Sequence, residues 1–228
     1  MTGTPRVRIV SFDLDGTLVD TAGEIAEAAN RTVEEFGLPR RPVAEMTKLI
    51  GAGTKELMLG LLRRIAADPA TADVVLDQNI ALDRFAHHYA MTSGTTCRAY
   101  PTAQDALVRL RAAGVRLACV TNKEERYSRQ VLAACAMQDA FDLLVGGDTL
   151  AVKKPDARVL LHAIATLGGT RDSMAHVGDS RTDVEAARNA GVAAWFVPYG
   201  YNQGEPIEHA RPDRVFRDLG EVAAYVLG

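Results

Sequence analysis

The sequence lacks any long hydrophobic run. Arg6 and Arg8 interrupt the amino-terminal apolar stretch, and no segment approaches the roughly 20 apolar residues of a membrane-spanning helix. It lacks a surplus of charge, with a formal net charge of −3 and like-charge clusters no longer than pairs such as Arg63–Arg64 or Glu124–Glu125. Those pairs read as solvated faces, so neither nucleic acid nor an anionic membrane is an expected partner. Cysteine is scarce: Cys97, Cys119 and Cys135 form no C-x-x-C pair, which points to a reduced compartment with Cys119 in a buried strand. A soluble, cytoplasmic protein is therefore expected. No G-x-G-x-x-G follows a strand pattern, which argues against a dinucleotide site. His87, His88 and His162 have no partner at metal spacing, and no serine or cysteine has a convincing histidine–carboxylate relay. The 228 residues, 47% hydrophobic and 24% charged, suit one large domain or one domain carrying a substantial insertion.

Against those absences stands one dense stretch, V-R-I-V-S-F-D-L-D-G-T-L-V-D at residues 7–20. Val7, Ile9 and Phe12 lie in a short, largely β-branched run that reads as a buried strand ending on Asp13. Asp15 follows two residues later. Two carboxylates at the mouth of a buried strand repel each other and lose solvation, so the pair is costly unless a cation is present. Mg²⁺ takes oxygen ligands and commonly binds through one or two carboxylates plus substrate phosphate. Gly16 allows a tight turn. The plainer reading is a hairpin, because Asp-Gly between apolar runs is a strong hairpin signal; a hairpin after a catalytic strand satisfies both readings.

Residues 21–96 read as helical, with no strand pattern. Ile25, Ala28, Val33 and Phe36 have helical spacing over 24–36, as do Leu57, Leu61, Leu62 and Ile65 over 54–67; Val75, Ile80, Leu82, Phe85 and Tyr89 mark a looser helix over 72–91. From Tyr100 the pattern alternates: helix 101–114 opening at Pro101, strand 115–120, helix 125–136, strand 141–145, helix 155–167, strand 174–177, a helix through Ala190, strand 193–197, a short strand at 215–216 and a helix over 220–227. Alternation of this kind builds right-handed βαβ crossovers and a mainly parallel sheet covered on both faces. The expected fold is α/β: a Rossmann-like, three-layer core from residues 1–20 and 97–228, with an inserted helical domain at 21–96. Ligands of such sheets bind beyond the carboxyl ends of the strands, where Asp13, Thr121 and Asp179 all fall.

These residue types fit phosphate ester hydrolysis, which requires roughly 20 kcal/mol or more of barrier reduction. Asp13 can act as nucleophile and Asp15 as the acid that protonates the leaving alkoxide and later deprotonates water. Thr121 offers a hydroxyl, and Asn122 beside it a backbone N–H, to a phosphate; the alternative for Thr121 is a helix cap. Pro155 at a first helical position would put Lys154 beside a positive dipole end, which makes sense if both converge on an anion, whereas a lysine snorkelling into water is the alternative. In H-V-G-D-S-R-T-D, Asp179 reads as the third metal ligand, and Asp183 either completes a capping box with Ser180 or orients Lys154 from behind. The G-A-G-T-K loop at 51–55 is like the tail of a P-loop without its leading glycine or preceding strand.

Taken together, D-L-D-G-T, T-N, K-K-P and G-D-S-R-T-D resemble, in order and strand context, the motifs of the haloacid-dehalogenase-like phosphohydrolases. The resemblance implies an aspartyl-phosphate mechanism with Mg²⁺ held by Asp13, by Asp15 through its backbone carbonyl, and by Asp179. It also implies that the helical insertion is a C1 cap. A-Y-P-T, T-N-K, K-K-P-D and Y-G-Y-N-Q-G-E-P-I are similar to bacterial phosphoglycolate phosphatases, and related capped phosphatases acting on sugar phosphates, or phosphomutases, share much of the pattern. D-A-R-V after Pro155 departs from the second proline often found there. On this resemblance the substrate is a small phosphate monoester, and Gly53, Thr54 and Lys55 of the cap are the expected contacts to its far end, with Lys55 meeting a carboxylate.

Overall fold

The computed structural model describes residues 7–71, 74 and 76–228. Its centre is β1 (Ile9–Phe12), four residues that are all buried because helices cover both faces of the sheet. The chain then runs through β2 (Val19–Asp20), α1 (Ala22–Glu35), α2 (Val43–Thr47), α3 (Thr54–Ala67), α4 (Gln78–Thr92) and β3 (Arg98–Ala99). Alternation follows: α5 (Ala103–Ala112), β4 (Arg116–Val120), α6 (Glu125–Ala134), β5 (Leu143–Val145), α7 (Arg158–Leu167), β6 (Met174–Gly178), α8 (Arg181–Ala190), β7 (Ala193–Phe196), α9 (Ile207–Ala210), β8 (Arg214–Val215) and α10 (Leu219–Leu227).

Six strands form one sheet in the order β5-β4-β1-β6-β7-β8, every described pairing parallel. Side chains of successive residues leave the pleat on opposite faces, and the two cores follow that rule. Val10, Phe12, Leu117, Cys119, Ala175 and Val177 pack with α5 and α10. Ile9, Ala118, Val120 and Met174 pack with α7 and α8 on the other face. The result is the three-layer α/β architecture expected from the alternation. A third core joins α1, α3 and α4 through Ile25, Val33, Met58, Leu61, Phe85 and Tyr89, with Tyr127 of α6 packed into it.

Several local expectations are corrected. The Asp15–Gly16 turn does not fold β2 back onto β1; β2 pairs antiparallel with β3, Val19 against Ala99 and Asp20 against Arg98, where the chain leaves and re-enters the core. The 72–91 helix is α4, beginning at Gln78 because the Asp77 carboxylate accepts the N–H groups of Asn79 and Ile80; Ala72, Asp73 and Val75, like Arg6, lie outside the described residues. The helix expected from Pro155 begins at Arg158, so Lys154 sits in a turn before it, at a cis Lys154–Pro155 bond. The dipole argument for Lys154 therefore fails, and its placement has another cause.

Candidate active site

In the sheet order, β4, β1 and β6 are neighbours, so Thr121, Asp13 and Asp179 arrive at one carboxyl edge although the sequence separates them widely. Asp13 is anchored by its own N–H, which donates to the Val177 carbonyl at 2.9 Å. Its Oδ1 accepts from the Leu14 N–H at 2.8 Å and lies 2.9 Å from Lys154 Nζ. Its other oxygen has no hydrogen-bond partner among the described residues and is free to meet a ligand.

Lys154 is held by an amide clamp. Asn122 Oδ1 accepts from the Lys154 N–H at 2.8 Å, and Asn122 Nδ2 donates to the Lys154 carbonyl at 3.0 Å and to the Gly51 carbonyl at 3.0 Å. The Asn122 side chain thus positions Lys154 and ties the 51–55 loop to the core; only its backbone remains for a phosphate. Thr121 is buried, and its hydroxyl accepts the Lys123 N–H at 3.3 Å. It does not cap α6, whose first flanking residue is Glu124.

Asp183 satisfies both readings offered for it. Its Oδ2 accepts from the N–H and hydroxyl of Ser180 in a capping box, while its Oδ1 lies 2.6 Å from Lys154 Nζ and 3.2 Å from His176 Nε2. Burial would raise the Asp183 pKa, but Lys154 and His176 more than offset it and hold the group well below the usual carboxylate range. His176, missed in the sequence, is buried in β6 between Asp183 and Ser11, whose hydroxyl lies 2.8 Å from Nδ1. Burial lowers its pKa, so the ring is neutral near pH 7.

Asp179 is gripped from two sides. Thr17 Oγ donates to Oδ1 at 2.8 Å, and the Tyr201 N–H donates to Oδ2 at 2.7 Å. Gly16 lets this happen: its φ of +86° suits glycine, and a Cβ there would stand 2.3 Å from Asp179 Oδ2. Asp13, Asp179 and Asp183 each offer a carboxylate oxygen, all within 4.8 Å of one another. Burial and the neighbouring carboxylates raise the Asp13 pKa to about 6 against the pull of Lys154, and raise that of Asp179 to about 8. One lysine does not balance three buried carboxylates, and an all-oxygen donor set fits a hard divalent cation. Asp183 already uses both oxygens on protein donors, which leaves Asp13 and Asp179 as the open donors of the cluster.

Asp15 points toward the helices. Its Oδ1 accepts from the Thr21 hydroxyl at 2.7 Å and lies 2.8 Å from Lys123 Nζ. Lys123 also donates to the Tyr89 hydroxyl of α4, and Asp15 and Tyr89 hold its pKa above the ordinary value despite burial. Asp13, Asp15, Thr121 and Lys123 line a closed cavity of about 20 Å³, walled on the helical side by Ile25, Ile50, Gly53, Thr54 and Leu57. A larger, open depression of about 620 Å³ lies at the opposite sheet edge beside Arg8, Arg116 and Asp172, away from the carboxylate cluster.

The 51–55 loop is only partly where expected. Gly53, at φ +99°, runs so close to the core that a Cβ would stand 2.9 Å from the Asn122 carbonyl. Thr54 reaches the cavity wall, but its hydroxyl donates to the Glu124 carboxylate at 2.7 Å. Lys55 is exposed and lines a neighbouring groove with Glu124 and Arg126. Lys123 was missed although it directly follows Thr121–Asn122, the motif that pointed to this edge. Tyr201 was also missed: its hydroxyl accepts from the N–H groups of Thr21 and Ala22 and donates to Asp20 Oδ1 at 2.7 Å, which caps α1 from a distant loop.

The sequence profile of the haloacid dehalogenase-like hydrolases matches residues 10–197. The phosphoglycolate phosphatase of Nitrosospira multiformis is 37% identical over 220 residues, covering 96% of each chain. A plasmid-borne phosphoglycolate phosphatase of Cupriavidus necator is 39% identical over 192 residues, covering 84% of this chain and 81% of that one. The crystal structure of a predicted phosphoglycolate phosphatase from Haemophilus somnus superposes with a TM-score of 0.90 at 28% identity, covering 98% of this chain and 99% of that one. With the carboxylate cluster at the carboxyl edge of a six-stranded parallel sheet, these likenesses carry one conclusion: the chain belongs to the haloacid dehalogenase-like hydrolase family.

Proposed function

We propose that the protein is a Mg²⁺-dependent phosphatase that hydrolyses 2-phosphoglycolate to glycolate and phosphate through an aspartyl-phosphate on Asp13. The observation that carries this reading is the division of labour between two aspartates. Asp13 keeps one oxygen free beside Lys154, while Asp15, two residues on, faces the cavity from the side of Thr21 and Lys123. The free oxygen of Asp13 attacks phosphorus, and Lys154 offsets the charge of the phosphoryl group while holding the nucleophile's other oxygen. Asp15 donates its proton to the departing alkoxide, then takes one from the water that hydrolyses the acyl phosphate. The Thr121 hydroxyl and the backbone N–H groups after it bind phosphoryl oxygens. Asp13, Asp179 and the Asp15 carbonyl would hold Mg²⁺, which supplies Lewis-acid charge against the phosphoryl oxygens. Asp183 keeps Lys154 in place.

Helices α1 to α4, with the 21–96 insertion as their boundary, serve as the cap. The closed cavity is too small for a substrate, so the cap opens to admit one, and the β2–β3 ribbon is the hinge. The relatives' names support phosphoglycolate as the substrate. The test is kcat/KM for phosphoglycolate, glycerol phosphate and hexose phosphates, with Mg²⁺ and after chelation. Phosphoglycolate is expected to lead, with activity lost on chelation and restored by Mg²⁺. A better sugar phosphate would overturn the substrate, and metal-independent turnover would overturn the mechanism.

A further inference from the structure

We infer that Lys123 recognises a second anionic group on the substrate, a carboxylate one methylene away from the ester oxygen. This deepens, and rests on, the phosphatase reading above. Lys123 is 2% exposed, a burial that a lysine tolerates only with partners. Its ammonium contacts Asp15 Oδ1 at 2.8 Å and donates to the Tyr89 hydroxyl. An ammonium has three N–H donors, and those two partners use two of them. The third finds no acceptor among the described residues, at the wall of the cavity that Asp13 and Asp15 also line.

The other nearby cations are unsuited to the task. Lys154 is committed to Asp13 and Asp183, at 2.9 and 2.6 Å. Lys55 is exposed in a separate groove. The helical wall of the cavity is apolar at Ile25, Ile50 and Leu57, so an anionic tail entering there meets Lys123 as its cationic partner. Spacing then limits the tail. If Asp15 touches the ester oxygen in order to protonate it, a lysine hydrogen-bonded to that same carboxylate reaches a group on the next carbon of the leaving alcohol. A longer polyol would drive its far end into Ile25, Ile50 and Leu57, where hydroxyl groups find little to pair with. The site therefore favours a short α-carboxy alkyl phosphate over both a neutral alkyl phosphate and a sugar phosphate.

The test separates recognition from catalysis with two non-hydrolysable ligands. 3-Phosphonopropionate carries the carboxylate, and propylphosphonate has a methyl group in its place. Their inhibition or dissociation constants are measured on wild type, Lys123→Met and Lys123→Arg in the presence of Mg²⁺, beside kcat/KM for phosphoglycolate and ethyl phosphate. Wild type is expected to bind the carboxylate ligand about tenfold or more tightly, as for a charge-assisted hydrogen bond, with the preference collapsing in Lys123→Met and surviving in part in Lys123→Arg. An undiminished preference in Lys123→Met, equal weakening of both ligands, or no preference in wild type would each overturn the inference. Should Lys123→Met not fold, Lys123→Gln, neutral but still a donor to Asp15, decides by the same ratio. Wild type that discriminates the two phosphonates yet hydrolyses no phosphate ester would sink the phosphatase reading and leave the role of Lys123 standing.

Discussion

Replacing Asp13 by asparagine removes the nucleophile and, without metal, is expected to make the protein more stable above neutral pH. The wild-type carboxyl is buried beside Asp183 and Asp15, and its pKa rises from 3.8 to about 6 although Lys154 opposes the change. A carboxyl whose folded-state pKa is raised stabilises the fold below its unfolded value and loses that contribution as pH rises through the folded value. Here the loss runs from about pH 4 to pH 6 and amounts to roughly 3 kcal/mol above both values. Asparagine has nearly the same volume, does not titrate, and leaves Lys154 its 2.6 Å contact with Asp183. Urea denaturation in chelator at pH 4, 5, 6 and 8 is the assay. The Asn variant is expected to gain on wild type through that window and level off near pH 7. Saturating divalent metal should reverse the order, because a ligand bound to the folded state stabilises wild type by mass action. A pH-independent difference, or a variant less stable than wild type at pH 8 in chelator, would refute the account of the cluster as a charge-strained site. Phosphatase activity above a few per cent in the variant would refute Asp13 as nucleophile.

Two further substitutions probe the frame around the cluster. Gly16→Ala puts a Cβ 2.3 Å from Asp179 Oδ2 at φ +86°, so it should cost about 1–2 kcal/mol of stability and weaken divalent-metal binding at least tenfold, both read by denaturation with and without metal. Unchanged metal affinity would show that Asp179 moves aside freely. Tyr201→Phe removes the oxygen that accepts from Thr21 and Ala22 while keeping the backbone donor to Asp179, so it should cost about 1–3 kcal/mol and speed hydrogen exchange at those two amides, with metal affinity little changed. Unaltered exchange there would rule out the hydroxyl as the cap of α1.

The parts of the site legible in the sequence are those that local rules govern. A strand that runs apolar and stops on aspartate declares both its burial and its polarity, which is why Asp13, Thr121 and Asp179 can be assigned to one edge without any distance. The sequence singles out Lys154 for a reason that fails: α7 starts three residues beyond Pro155, and the lysine is set by the Asn122 amide, a contact between residues 32 apart. Asn122 itself shows the same limit, since T-N beside a strand end reads as a phosphate loop whether its side chain faces the ligand or clamps a neighbour. β2 and β3 pair through two residues each, too few for any periodicity to register.

The lysines show most plainly what the one-dimensional pattern omits. Lys55 sits at the start of a helix after two glycines, a context that signals an anion site, and it is exposed. Lys123 sits one residue before the cap of α6 in a charged stretch, K-E-E-R, that signals a solvated face, and it is among the most enclosed cations of the described residues. Its burial comes from Tyr89 of α4, which closes over it from 34 residues earlier in the chain and donates no pattern of its own beyond an aromatic at helical spacing. The same tyrosine packs on Phe85 and Tyr127, so one side chain serves the core of the helical unit with its ring and the candidate site with its hydroxyl. A residue used in both ways reads as core in the sequence, because the hydrophobic demand is periodic and the polar one is a single contact. Closure of the helices is what turns Lys123 from a surface charge into a recognition group. In the open enzyme, the lysine regains water and the discrimination between a carboxylate and a methyl group disappears with the cavity that enforces it.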